Sequence, residues 1–209
     1  MKIEIKMSDA LHDQIMRDLA RRHPFAAERV GFVMGKLGSL EDGGKLVLLT
    51  TYHPILDDQY VRDRSVGARI GPEAMTWAMQ AVYHGRAGHE GIFHIHLHEH
   101  RGVTAMSGVD RREIPKLIPG FQSVGKDAAH GIIILSHDHG SGWVWLPSSD
   151  KPALAGTMVV LGTPVRVFEQ TPVRVKPAVD APRRSKWGKI RDSVANFGNR
   201  IWSRIARWI

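Results

Sequence analysis

"GIFHIHLHEHRGVTAMSGVD", residues 91–110, sets histidine at every second position from His94 to His100 and closes on Ser107-Gly108-Val109-Asp110. A period of two marks a β-strand, whose successive side chains leave on opposite faces. Gly91 to His98 therefore reads as a strand with His94, His96 and His98 on one side and His100 just beyond. Ring nitrogens gathered on one face can grip a single divalent cation, and zinc takes nitrogen together with oxygen. A polar face turned to solvent explains a bare His-x-His as well, so a further ligand has to decide. Ser107-x-x-Asp110 ahead of an apolar stretch is a helix-capping arrangement. A capped start fixes both side chains and lets Asp110 offer an oxygen to the histidine face. Two histidines and an aspartate leave the fourth zinc position open, the pattern of catalytic sites.

Outward from this strand, helices and strands interleave. Lys2–Lys6 alternates like a short strand, and Ser8 caps a helix whose apolar face is Leu11, Ile15 and Leu19. Arg29–Leu37 and Lys45–Tyr52 read as a hairpin closed by the turn at 41–44. Pro72 opens a helix that runs to about Tyr83. A helix from Ser107 is expected to stop near Leu117, at Pro115 and Pro119. Further strands are expected over 130–138, 141–147 and 156–169. The predicted fold is α/β of the α+β type, a mixed, largely antiparallel sheet flanked by helices, over residues 1–170. Residues 171–185 carry three prolines and read as a linker. Over 186–209, Trp187, Ile190, Val194, Phe197, Ile201 and Ile205 recur at steps of three and four, a C-terminal amphipathic helix with a basic opposite face.

Composition narrows the chemistry. The chain has 209 residues, 43% of them apolar, and no cysteine, so any metal must be held by His, Asp or Glu. Net charge is +8, but eight Lys/Arg and a single Asp lie between Arg183 and Ile209. The body is therefore nearly neutral, and no specific nucleic-acid partner is expected of it. The basic, Trp-containing terminal helix suits a membrane surface or a protein contact. No stretch approaches the roughly 20 apolar residues of a spanning helix, and Met1–Gln14 holds no signal-peptide run. The expected location is cytoplasmic, peripheral at a membrane only through 186–209.

Two familiar zinc patterns do not fit. "HEGIFH" (89–94) is not spaced as H-E-x-x-H, and H-x-H-x-D-H would need an Asp-His pair where His98-Glu99 stands. The order His-x-His, loop, Ser-x-x-Asp, with Glu28 far upstream at the entrance of the apolar strand "ERVGFVMG" (28–35), resembles the JAB/MPN (JAMM) zinc metallopeptidases. These include deubiquitinase-like isopeptidases. The sequence is similar in particular to JAB peptidases of bacterial operons that encode ubiquitin-like proteins with their activating and conjugating enzymes.

That resemblance implies Zn2+ as cofactor, with His96, His98 and Asp110 as metal ligands. It also implies Glu28 as the proton acceptor and Ser107 as the oxyanion donor. The activity implied is cleavage after the C-terminal tail of a ubiquitin-like protein, as precursor or conjugate. The family's loop holds about seven residues between the second histidine and the serine. Here His98 to Ser107 encloses eight and His96 to Ser107 encloses ten. His96 and His98 are therefore the preferred pair; His94 and His96, which follow the aromatic Phe93, are the alternative. Asp57 to Gly71 is implied as a substrate flap. A catalytically silent MPN scaffold and a hydrolase of a small sulfur-carrier protein are the competing functions. His53, His137 and His139 read first as surface positions.

Overall fold

The structure, a computed structural model, describes residues 1–22, 26–63 and 67–170. The expected linker and terminal helix at 171–209 lie outside the described residues. Among these residues the strands are β1 (Ile3–Ser8), β2 (Val30–Ser39), β3 (Lys45–Pro54), β4 (Glu90–Leu97), β5 (His130–Leu135), β6 (Gly140–Trp145), β7 (Ala153–Leu154), β8 (Thr157–Leu161) and β9 (Arg166–Glu169). The α-helices are α1 (Asp9–Leu19), α2 (Pro72–Gly85) and α3 (Gly108–Val124). The strands make one sheet in the order β7-β6-β5-β4-β2-β3-β1-β8-β9. Three pairings are parallel (β1 with β3, β1 with β8, β4 with β5), and the remaining ones are antiparallel. A mixed α/β architecture with a mostly antiparallel sheet is what the sequence led us to expect. The two-residue β7 was not foreseen.

β4 lies near the middle of the sheet and is buried on both faces. Phe93, Ile95 and Leu97 enter one core with Ile3, Ile5, Val33 and Val47, which α1 closes with Leu11, Ile15 and Leu19. Ile92 enters the other with Phe32, against Ala74, Ala78 and Val82 of α2 and Ile114, Ile118 and Phe121 of α3. His94 and His96 share the face of Ile92 and so point into the α2/α3 layer rather than to water. His96 is 1% exposed. The start of β4 runs so close to the entrance of the neighbouring β5 that a Cβ on Gly91 would fall 1.7 Å from the Ala129 carbonyl oxygen.

Local signals act as expected at most boundaries. The Ser8 hydroxyl accepts the Leu11 N–H at 3.2 Å and starts α1, and Pro72 opens α2. α3 corrects the expectation of a stop near Leu117: it continues through Pro115 and Pro119 to Val124. Each proline removes a helical hydrogen bond and costs about 3 kcal/mol. Ile114, Ile118 and Phe121, at most 6% exposed, offset that through burial worth about 1.5–3 kcal/mol per side chain. Among the described residues no helix is long and apolar enough to cross a membrane.

Candidate metal centre

The β2–β4 register builds the site. Val30 pairs with His96 and Phe32 with His94. Continuing the register backward brings Glu28, at the entrance of β2, abreast of His98. Glu28, His96 and His98 each offer a ligand atom within 4.8 Å of the other two, a group able to hold a metal ion.

Asp110 reaches the same place from α3. The Ser107 hydroxyl accepts the Asp110 N–H at 3.1 Å, and the Asp110 carboxylate accepts the Ser107 N–H at 2.7 Å, a reciprocal capping box. Held that way, Asp110 Oδ2 lies 3.7 Å from His96 Nε2 and 3.8 Å from His98 Nε2. The two histidine nitrogens are 3.1 Å apart. Ligands about 2.0–2.1 Å from a tetrahedral zinc stand about 3.3–3.4 Å from each other. The three donor separations bracket that spacing. Capping and metal-facing geometry thus coexist in Ser107-x-x-Asp110.

His98 follows the last residue of β4, and its place depends on the loop beyond it. Its N–H donates to the Leu135 carbonyl at 2.8 Å. The Thr104 hydroxyl donates to Ile134 O at 3.1 Å, and Gly102 N–H to an Asp138 oxygen at 2.6 Å. Gly102 takes φ +92, where a side chain would be strained, so the loop turns there and is stapled to β5 and its turn.

His94, the alternative ligand, stays outside the converging donors. Its ring lies 5.5 Å from that of His96 and edge-on to Phe32 at 6.2 Å. The Nδ1 atoms of His94 and His96 are buried without a hydrogen-bond partner among the described residues. A metal-binding imidazole usually donates its second nitrogen to an acceptor. His96 is instead held by packing between His94 and the His98 ring, 4.9 Å away.

Burial sets the protonation states. It depresses His94 to about 4 and His96 to about 3, and it lowers His98 as well. All three are therefore neutral near pH 7, the form that ligates a cation. Burial alone would raise Asp110, but the neighbouring His96 and the hydrogen bonds from Ser107 outweigh it and hold the carboxyl below its ordinary value. Glu28 is pushed up to about 7 by burial, with the Asp110 charge adding to the effect. Two carboxyl groups in one site thus carry separate states, one ionised and one titrating near neutrality.

The other histidines do not join this centre. His53 stacks on Trp77 with ring centroids 3.4 Å apart. His137 is exposed, and His139 lies beside Phe168. Both line a cavity of about 540 Å³ with His12, Arg166 and Phe168, and none of the centre's residues borders it. The converging donors, rather than this cavity, mark the site. His130 was not singled out from the sequence, because nothing in "AAHGIII" sets it apart. It is fully buried, accepts the Ile92 N–H at 3.2 Å and pairs with the Gly125 carbonyl at 3.0 Å, tying β4 to the end of α3.

No family model matches this sequence, and no curated protein matches it. Among solved structures the chain is similar to the Trichoplax adhaerens STIL N-terminal domain, at 11% identity and a TM-score of 0.27. That alignment covers 67% of this chain and 40% of the other. A TM-score of that size carries no argument about fold or function.

Proposed function

We propose that the chain is a zinc-dependent isopeptidase or peptidase of the JAMM type, cleaving after the extended C-terminal tail of a ubiquitin-like protein. The observation that carries this reading is the convergence of two neutral histidines, His96 buried and His98 half-buried, with Asp110 at 3.1–3.8 Å beside Glu28. A nitrogen-rich donor set with one carboxylate suits zinc better than magnesium or calcium. The substrate class rests on the likeness of Glu28, His-x-His and Ser-x-x-Asp to that family's motif.

His96, His98 and Asp110 would hold the zinc, which would supply Lewis acidity and make a water at the site acidic enough to ionise near about pH 7. Glu28 takes up a proton near neutral pH and returns it to the departing amine, work worth roughly 10²–10⁴-fold. The Ser107 hydroxyl accepts the Asp110 N–H and its side chain also hydrogen-bonds the Asp110 carboxylate; turned from that carboxylate, its proton is what it offers to a developing oxyanion. One such donor is worth about 10²–10³ in kcat. The scissile bond is an amide, and the products are the free tail carboxylate and an amine.

The test is the zinc-loaded full chain against a panel of ubiquitin-like and sulfur-carrier proteins, each bearing a fluorogenic amine at its C-terminus. Release should be abolished by chelator, restored by zinc, and at least about 100-fold slower in a Glu28→Gln variant that still binds zinc. Release by metal-loaded wild type no faster than by Glu28→Gln refutes the reading.

A further inference from the structure

Residues 27 to 30, which carry Glu28, meet Asp57, Tyr60 and Gly67 at successive points. Arg29, 4% exposed, places its guanidinium 2.7 Å from Asp57. The same side chain donates to the carbonyls of Arg21 and Arg22 at 3.0 and 3.1 Å. The Tyr60 hydroxyl lies 3.0 Å from Val30 N, which donates to it, and 2.9 Å from Val30 O. The Gly67 carbonyl accepts the N–H groups of both Ala27 (2.8 Å) and Glu28 (3.0 Å). Residues 59–61 and 69–71 are bonded to each other, Val61 N–H donating to Arg69 O and Gly71 N–H to Gln59 O.

At the last of these points there is no room for a side chain. A Cβ on Gly67 would lie 2.1 Å from Glu28 Oε1 and 3.0 Å from its carboxyl carbon. Gly67 does not adopt a left-handed φ, so its backbone alone would accept another residue. What the glycine accommodates is the Glu28 carboxyl group.

We infer that Gly67 is a positioning residue that sets the Glu28 carboxylate against the metal-ligating pair. This rests on the metal-hydrolase reading of the site and adds a residue to it. The obstructing atom is the free end of a flexible side chain, so a methyl at position 67 displaces the carboxylate instead of unfolding the chain. Restoring ordinary contact requires a shift of roughly 1 Å. A displacement of that size at a reacting group can cost about 100-fold in rate.

The test compares wild type, Gly67→Ala, Glu28→Gln and the double variant as full chains loaded with cobalt(II), whose visible spectrum reports the surroundings of the ion. Gly67→Ala should bind one cobalt per chain with unchanged affinity and melt with wild type. Its spectrum should shift in the same sense as that of Glu28→Gln. If wild type hydrolyses the C-terminal reporter, Gly67→Ala should lower kcat about 100-fold with little change in KM. The double variant should be no slower than Glu28→Gln alone.

A wild-type spectrum in Gly67→Ala beside a shifted one in Glu28→Gln overturns the positioning role. So does an unshifted spectrum in both, or full additivity in the double variant. Matching shifts without any hydrolysis by wild type leave the positioning in place and defeat the proposed reaction. Absence of stoichiometric cobalt in wild type overturns both.

Discussion

Replacing Asp110 by asparagine and by alanine separates the two tasks of one side chain. Its carboxylate accepts the Ser107 N–H at 2.7 Å and faces the histidine nitrogens at 3.7 and 3.8 Å. Asparagine keeps an acceptor for the cap but loses the anionic donor; alanine loses both. At free zinc about 100 times its Kd, binding stabilises the wild type by about 2.7 kcal/mol. For a chain of this size each kcal/mol moves Tm by about 2–4 °C, so zinc should raise the wild-type Tm by roughly 5–11 °C. Asp110→Asn should melt near wild type in chelator and show less than about 2 °C of that rise. Asp110→Ala should lose the rise and, without its cap, about 1 kcal/mol in chelator as well. Scanning calorimetry with zinc and with chelator reads all of these. A full zinc-dependent rise in Asp110→Asn refutes the carboxylate as a donor, and an unchanged chelator Tm in Asp110→Ala refutes its capping role.

Glu28, raised from its ordinary 4.5 to about 7, favours the protonated folded state. Its contribution to metal-free stability is therefore complete below about pH 4.5 and is lost as pH rises through 7, on the order of 3 kcal/mol. Urea titrations in chelator should show wild type falling relative to Glu28→Gln over that window; parallel curves would mean the carboxyl is not buried as described. Gly91→Ala drives a methyl into the Ala129 carbonyl and should cost at least about 1–3 kcal/mol, with unchanged denaturation midpoints counting against the close approach of β4 to that carbonyl. His130→Ala strands Ile92 N–H and the Gly125 carbonyl in the core. A loss of about 2–5 kcal/mol is expected, and one under about 0.5 kcal/mol would show that water replaces the ring.

Much of the fold was legible because its signals are local. Parity put His94, His96 and His98 on one face, Ser8 and Ser107 marked helix starts, and the turn at 41–44 closed the β2–β3 hairpin. Each of these depends on residues at most a few positions apart, whose conformations constrain one another directly. The end of α3 was misjudged for the complementary reason. Pro115 and Pro119 are local helix breakers, and only the distant cores against Ile114, Ile118 and Phe121 outweigh them.

The candidate site divides along the same line. The sequence alone determined which residue types are present, their strand parity and the reciprocal cap of Ser107 and Asp110. It left the choice between His94 and His98 open, since both share a face with His96. Tertiary structure decided which of them meets Asp110, because that distance depends on how the 98–107 loop is stapled to β5 and its turn. It also brought Gly67 against Glu28, across nearly forty residues of chain. Periodicity carries direction along an element. Only packing carries the distance between elements, and a metal ion responds to distance.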